Sequence, residues 1–208
     1  VKPLLDCYLG DGLSSLVTDD TSIVYDNRHL NIENLTSGAG GSAIDEKVFF
    51  IPAQRILSID DGRPRNFMEF DITTPYTLRH FSETLRIFIQ GGLGNPDVVF
   101  PMKNRLKGSM RKSINDTIFH NGKIIIDKST SQRKMKLEID NLRLPFMTWS
   151  AGQKEFLPLL LAIYCLSGPT TSVINKDGYE WVIIEEPEMG LHPRAIEAVM
   201  LQIIELMQ

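Results

Sequence analysis

Two adjacent carboxylates near the end of the chain are placed for metal-assisted hydrolysis of a phosphoanhydride. Glu185 and Glu186 directly follow the apolar run Trp181 to Ile184. Such a run, mostly β-branched, predicts a central parallel strand covered on both faces. Side chains at the carboxyl end of a strand of this kind project into the crevice where open α/β sheets bind ligands. One carboxylate can hold magnesium through water while its neighbour orients the attacking water, which predicts nucleoside triphosphate chemistry.

A second motif, Ser150 to Gln153, opens a long apolar segment from Phe156 to Leu166 that predicts a buried helix. Ser150 suits the N-cap of that helix, and Gly152 leaves room for the close approach of another molecule. A serine and backbone N–H groups at a helix start form an anion site suited to a terminal phosphate. Alone, each motif is more often structural, an acidic strand end or a capped helix. Occurring together in this order, the two motifs support each other.

Together the motifs resemble the C-terminal half of an ABC-type ATPase head. Ser150 to Gln153 is similar to the family signature Ser-Gly-Gly-Gln, with Ala in place of one Gly, and Ile183 to Pro187 is similar to its Walker B strand. The continuation through Gly-Leu-His-Pro resembles soluble members: SMC and RecF proteins and, most closely, the overcoming-lysogenization-defect class of AAA-type ATPases common in phage defence. The implied fold is α/β, part of an ABC-type P-loop NTPase head with an antiparallel β layer and an inserted helical lobe.

The resemblance also implies a role for individual residues, with ATP and magnesium as cofactors. Glu186 takes the position of the catalytic carboxylate, and Glu185 takes the magnesium-linked position, where the family usually has Asp. Gln54 is the nearest candidate for the glutamine loop, which contacts the metal and the attacking water. The nucleotide contacts are expected from Ser150, Gly152, Gln153, Gln54 and His192. For His192 the alternative is a side chain that caps the corner between strand and helix.

The chain is predicted to be a single, partial ATPase domain over residues 1–208. The implied inserted lobe covers 76–118, and the signature, Walker B and D-loop region covers 145–208. The patterns predict a hairpin in 22–36 around Asn27-Arg28, a Gly/Ser loop at 37–42, a strand at 47–51, a helix at 76–89, a hairpin turn at 119–123 and strands at 124–126 and 135–139. Arg55 is predicted to be a solvated turn residue, with a phosphate or partner contact as the alternative.

The phosphate-cradling pattern G-x-x-x-x-G-K-[ST] does not occur in these residues, since Gly122-Lys123 is followed by Ile124 and Gly40-Gly41-Ser42 has no lysine. In the family that loop precedes everything seen here, and the switch histidine lies beyond the D-loop. We therefore expect the chain to be clipped at both ends. The alternatives are a Walker A loop supplied by another chain, or a degenerate module.

Composition predicts an ordinary globular protein: 208 residues, 42% hydrophobic, net charge -4. No apolar run is long enough to cross a bilayer, so no membrane association is expected, and two distant cysteines predict reduced thiols in the cytoplasm. The scattered His29, His80 and His120 are predicted to be surface or packing residues. Basic side chains at positions 103–112 are predicted to be solvated, with nucleic acid or an acidic protein surface as alternative partners: Lys103, Arg105, Lys107, Arg111 and Lys112.

The expected function is ATP binding and hydrolysis by heads that dimerise over ATP. Closure would switch a partner, such as an effector nuclease or toxin subunit, in bacterial anti-phage defence. One alternative is a DNA-repair ATPase of the RecF or SMC type, although no sustained heptad repeat occurs between Ile56 and Trp149. Another is a non-hydrolysing ABC-like scaffold without Walker A.

Overall fold

A mixed set of strands and helices is formed by the part of the chain that the computed structural model describes: Thr18 and residues 23–25, 28–30, 47–93, 96–129, 133–169 and 178–206. The strands are β1 (Ile23–Tyr25), β2 (Arg28–Leu30), β3 (Val48–Ile51), β4 (Ile59–Asp60), β5 (Arg63–Pro64), β6 (Val98–Phe100), β7 (Lys123–Asp127), β8 (Lys134–Ile139), β9 (Leu142–Pro145) and β10 (Trp181–Ile184). The helices are α1 (Tyr76–Ile87), α2 (Gly108–Ile114), α3 (Ala151–Ser167) and α4 (Pro193–Leu206).

Strands β3 and β10 form the parallel pair that positions the acidic residues. Their register aligns Val48 with Trp181 and Ile51 with Ile184. Because parallel strands end at the same edge, the segment that leaves β3 lies beside the segment that leaves β10. The predicted strand at 47–51 is thereby confirmed, and so is a strand directly before the acids.

The prediction that the strand before the acids is covered on both faces is wrong for the described residues. Trp181, Val182 and Ile183 are 67%, 44% and 46% exposed. Ile184 is the residue of β10 that packs partly against the core. Among the described strands, β10 pairs with β3 alone. The apolar run therefore predicted the strand correctly but did not predict how far its side chains are buried.

An antiparallel sheet in the order β6-β7-β8-β9 forms a second layer. It confirms the predicted strands at 124–126 and 135–139. The predicted hairpin turn at 119–123 is wrong, because residues 115–119 continue α2 as a π turn, and His120 and Asn121 then adopt left-handed φ values of 49° and 64°. A separate tight reversal, at Asp140 and Asn141 with φ 47° and 67°, joins β8 to β9.

Helix α3 is the centre of the core. Every residue from Phe156 to Cys165 is buried, including Pro158 inside the helix and the free thiol of Cys165. Cys7 lies outside the described residues. Helix α1 ends at Ile87 and continues as a π turn, Phe88–Gly92, and it buries the predicted apolar face against this core: Leu78, Phe81, Leu85, Phe88 and Ile89.

The basic side chains of the 103–112 segment differ in exposure, since Arg105 is buried and Arg111 is half-buried. Arg105 is 6% exposed. Arg111 donates to the carbonyl oxygens of Lys103 and Leu106, at 2.9 and 2.7 Å. Lys107 pairs with Glu205, and Lys112 pairs with Asp116 at 2.7 Å. The prediction of a solvated face is therefore wrong for Arg105, because its guanidinium satisfies buried backbone carbonyls.

The N-terminal part of the described chain contains one short antiparallel pair, β1 with β2. The antiparallel pairing of β1 with β2 confirms the two strands of the predicted hairpin, while residues 22, 26–27 and 31–36 and the Gly/Ser loop at 37–42 lie outside the described residues. Over the described part of the chain, no helix combines the length and apolarity that a membrane span needs.

Candidate active site

The acidic corner, residues 185–190, follows β10 and is anchored to the exit of β3. The backbone N–H of Glu185 donates to the carbonyl of Ile51 at 3.0 Å, and the N–H of Ala53 donates to Oε2 of Glu185 at 3.0 Å. Glu186 then turns the chain with φ 42°, a left-handed value that costs about 1–3 kcal/mol in a residue other than glycine. Both acids are exposed. The corner thus presents two carboxylates to solvent from a fixed backbone.

The buried side chain of Arg55 binds the backbone of the acidic corner. Its guanidinium donates to three successive carbonyl oxygens: Nη1 to Glu185 at 3.0 Å, and Nη2 to Glu186 at 3.1 Å and Pro187 at 3.5 Å. The residue has 0% exposure, so the prediction of a solvated turn arginine is wrong. Burial lowers the pKa of Arg55, and nearby acids, Glu155 above all, oppose that shift.

Two serines fix the turn that carries Arg55. Ser58 Oγ donates to the carbonyl of Arg55 at 2.6 Å. Ser82 Oγ, on α1, donates to the carbonyl of Ser58 at 3.0 Å. Both serines are fully buried. The arginine is therefore held by the core on its backbone side and contacts the acidic corner through its guanidinium.

The start of α3 packs directly against the acidic corner. A Cβ on Gly152 would lie 3.1 Å from the carbonyl oxygen of Gly190, and a Cβ on Gly190 would lie 2.6 Å from Cγ of Glu155. Gly190 has φ 72°, which favours glycine. Burial raises the pKa of Glu155, although Arg55 opposes that shift. The first turn of α3, which carries the second sequence motif, is thus in direct contact with the acidic corner within this chain.

Comparison with known families fits these observations. A family model described as "AAA domain, putative AbiEii toxin, Type IV TA system" matches residues 57–208. The chain belongs to this AAA-domain family. The match includes α3, β10 and the acidic corner, and it begins just after Gln54 and Arg55. Neither a curated protein nor a solved structure matches the chain.

Ser150 caps the first turn of α3 in this AAA domain, as predicted. Its Oγ accepts from the N–H of Gln153 at 3.3 Å, and Oε1 of Gln153 accepts from the N–H of Ser150 at 3.0 Å. The side-chain amide of Gln153 also donates to the carbonyl of Ile118 at 3.0 Å. Gln153 is 7% exposed, whereas Ser150 is exposed. Gln153 therefore holds Ser150 in place through the helix cap. A direct contact between Gln153 and a nucleotide stays a prediction.

The AAA domain places its other two predicted ligand residues at the surface. Gln54 is exposed at the start of the short 3-10 turn Arg55–Ser58, next to the Ala53 N–H that binds Glu185. His192 is also exposed, and its Nδ1 accepts from the N–H of Arg194 at 3.4 Å. His192 therefore caps the first turn of α4. Its contact with a nucleotide stays a prediction.

A magnesium site in this AAA domain would take few protein ligands. No group of three or more His, Cys, Asp or Glu residues that could hold a metal occurs in the described ranges. Magnesium keeps several waters and is commonly held by one or two carboxylates together with substrate phosphates. Glu185, with one oxygen bound to the Ala53 N–H, and the neighbouring Gln54 fit that requirement.

Sequence reasoning missed three contributors to the site: the Ala53 N–H, Arg55 and Glu155. One signal could have found the first two. If the strands at 47–51 and 181–184 are assigned to one parallel sheet, their carboxyl ends must meet, which places residues 52–55 beside Glu185 and Glu186. Nothing comparable in the sequence singles out Glu155.

Proposed function

We propose that this AAA domain binds and hydrolyses ATP, and that two copies close over ATP to switch an effector in bacterial anti-phage defence. The observation that carries the proposal is the placement of Glu185 and Glu186 at the shared edge of β3 and β10, with Glu185 bound to the Ala53 N–H at 3.0 Å. That placement suits acidic residues that act on bound phosphates, because ligands of α/β sheets bind at the carboxyl ends of strands.

Within the site, the two acids have separate tasks. Glu185 would hold magnesium with the oxygen that the Ala53 N–H does not take, and Gln54, at the exit of β3, would be its second protein ligand. Glu186 accepts a hydrogen bond from the attacking water and aims it at the γ-phosphate for in-line displacement. Magnesium, when bound, neutralises the charge that develops on the phosphate oxygens.

The other half of each ATP site is supplied by Ser150 of the opposite copy. Ser150 Oγ acts as an acceptor in the helix cap, so its own hydrogen can be donated to a γ-phosphate oxygen. The N-terminus of the 17-residue helix α3 adds a positive dipole end at the same point. ATP between two copies would then join Glu186 of one to Ser150 of the other.

The family description supports a role in defence, since it names a toxin and a type IV TA system. A toxin or nuclease subunit is therefore the effector that we expect ATP-driven closure to control. The energy of closure is available because a ligand shifts a conformational equilibrium by its differential affinity for the two states.

Self-association driven by ATP tests this function. We expect magnesium-ATP to convert the wild-type protein to dimers in analytical ultracentrifugation, and Glu186→Gln to hold the dimer for longer. Ser150→Arg should abolish association by filling the phosphate site. The matched control is Ser109→Arg, because Ser109 is also exposed in the first turn of a helix but lies on α2.

Normal ATP-driven dimerisation of Ser150→Arg would contradict the signature role of this motif. If the full-length protein neither binds ATP nor associates in its presence, it would instead be the non-hydrolysing scaffold. ATP-dependent binding to duplex DNA ends, without a co-purifying toxin or nuclease, would favour the repair ATPase.

A further inference from the structure

The most unusual buried charge of this AAA domain lies under the acidic corner and not in it. Arg55 is fully buried, yet the groups that it contacts belong to a turn more than a hundred residues away in sequence. A buried cation is costly unless hydrogen bonds and opposite charges compensate it. Here both are present, because three carbonyls of the corner accept its N–H groups and three acids surround it: Glu155, Glu186 and Glu188.

We propose that Arg55 is a positioning residue, which holds Glu186 in its water-orienting place and ties it to the turn that carries Gln54. This proposal rests on the proposed ATPase function. It assigns to Arg55 no contact with ATP or with the attacking water. Arg55 acts only through the backbone of Glu185, Glu186 and Pro187.

The backbone of Glu186 shows why such a residue is needed. Its φ of 42° is unfavourable for a side chain with a Cβ, so the surrounding contacts must hold it there. The described contacts that do so are the Arg55 Nη2 donation to the Glu186 carbonyl and the Met189 N–H donation to the same oxygen, at 3.1 and 3.0 Å. Without the guanidinium, the carbonyl of Glu186 would lose one of its two hydrogen-bond donors. The φ of Glu186 could then relax to a right-handed or extended value.

The same guanidinium helps to tie the exits of β3 and β10 to each other. Arg55 follows Gln54 directly, and the Ala53 N–H binds Glu185 from the other side of Gln54. Both flanks of Gln54 are therefore attached to the acidic corner. A displacement of the turn after β3 must displace the backbone of Glu185 and Glu186 as well.

Lysine cannot replace Arg55 in this role. A planar guanidinium presents several N–H groups in a fixed fork, whereas an ammonium on a flexible stem is a point charge. Lysine would keep the positive charge beside Glu155 and Glu186 but could not hold three carbonyls with the same geometry. The conservative change therefore separates geometry from charge.

The test compares Arg55→Lys with Arg105→Lys in the intact ATPase, because Arg105 is also buried and also donates to backbone carbonyls. We measure kcat and KM for ATP together with the thermal midpoint. Arg55→Lys should lower kcat about 10- to 100-fold with little change in KM, as expected for misplacement of a reacting group. Arg105→Lys should lower the thermal midpoint and leave kcat unchanged below the unfolding range.

Chemical rescue provides the second readout. In Arg55→Ala, free guanidinium at concentrations below those that denature the protein should restore part of kcat, while ammonium should not. A purely structural arginine would give no such recovery in a folded variant. Free guanidinium is not expected to change the kcat of Arg105→Ala.

A folded Arg55→Lys with wild-type kcat would overturn the proposal, and so would equal kcat losses in the Arg55 and Arg105 variants. Failure of both Arg55 variants to fold would also overturn it, in favour of an arginine that serves stability alone. Glu186→Gln separates this outcome from failure of the proposed function. If Glu186→Gln hydrolyses ATP as fast as the wild type, Glu186 is not the catalytic carboxylate, and the role of Arg55 falls with that assignment.

Discussion

Two arginines of this AAA domain are buried alike and differ in what their hydrogen bonds hold. Arg55 is 0% exposed and Arg105 is 6% exposed, and burial lowers the pKa of both. Arg105 donates to the carbonyls of Tyr164 and Gly92, at 2.5 and 3.4 Å, near the ends of α3 and of the π turn after α1. Arg55 donates to the turn that presents Glu185 and Glu186 to solvent.

The two guanidinium groups also differ in the residues around them. Arg105 lies over the ring of Phe88, 4.9 Å from its centroid, and the residues that oppose its pKa shift are Cys165 and Tyr164. For Arg55 the opposing residues are all glutamates, which belong to α3 and the acidic corner. Burial alone therefore does not mark a functional arginine. Arg55 is distinguished by the segment to which it donates, because that segment carries the exposed carboxylates of the candidate site.

The largest effects should come from adding a methyl group to Gly168, which abuts Arg105, and to Gly190, which abuts Glu155 in the candidate site. A Cβ on Gly168 would lie 1.7 Å from Nη1 of Arg105, and Gly190, with φ 72°, abuts Glu155. Gly168→Ala should destabilise the fold by about 1–3 kcal/mol through overpacking. Gly190→Ala should cost about 1–2 kcal/mol because of its left-handed backbone, and it should also slow ATP turnover. Denaturant unfolding and turnover at low temperature measure the two effects.

If Gly168→Ala slows turnover of the folded protein as much as Gly190→Ala does, the two arginines do not differ in their effect on the site. We expect turnover to fall only in Gly190→Ala, while both variants lose stability.

A matched pair of serines gives the next effect. Ser58 Oγ donates to the carbonyl of Arg55 at 2.6 Å, and Ser167 Oγ donates to the carbonyl of Arg105 at 2.8 Å. Each Ser→Ala change should lower the free energy of unfolding by about 1 kcal/mol, the usual worth of one hydrogen bond. Only Ser58→Ala should also lower kcat, since it loosens the turn that carries Arg55. Equal kcat values in the two variants would argue against that link.

The smallest effect concerns Glu155 and depends on pH. Burial raises the pKa of Glu155 in the folded protein above its ordinary value, so its ionised form is disfavoured there. Its contribution to stability is therefore present at acid pH and is lost as pH rises through the raised pKa. Glu155→Gln should match the wild-type thermal midpoint near about pH 4 and exceed it slightly near about pH 8. A lower midpoint at the higher pH would mean that attraction to Arg55 outweighs the burial cost.

Local patterns were enough to predict much of the fold. The apolar run after Ser150 gave helix α3 and its cap, because capping and periodicity are set by neighbouring residues. The strands at 47–51 and 124–126 were predicted for the same reason. The turn at 119–123 was misassigned because asparagine and glycine end helices as readily as they form hairpins, and the chain before it is helical.

Contacts between distant residues account for what the sequence did not predict. The burial of Arg55 depends on carbonyls of the acidic corner, and no local pattern distinguishes an arginine that meets them from one in solvent. The exposure of β10 depends on which strands lie beside it, and an apolar run does not reveal that. The candidate site was predicted through its acids and Ser150, while the groups that hold those acids required the structure.

Whether the acidic corner is catalytic is measured by ATP turnover of Glu186→Gln, with Glu180→Gln as the matched control. Glu180 precedes the same strand at its opposite end, where it pairs with Lys47 at 2.7 Å. If the acidic corner is the catalytic centre, Glu186→Gln should lower kcat by about 100- to 10,000-fold, as expected for loss of a group that orients and deprotonates water. Glu180→Gln should retain wild-type turnover. Unchanged turnover in Glu186→Gln would contradict the account.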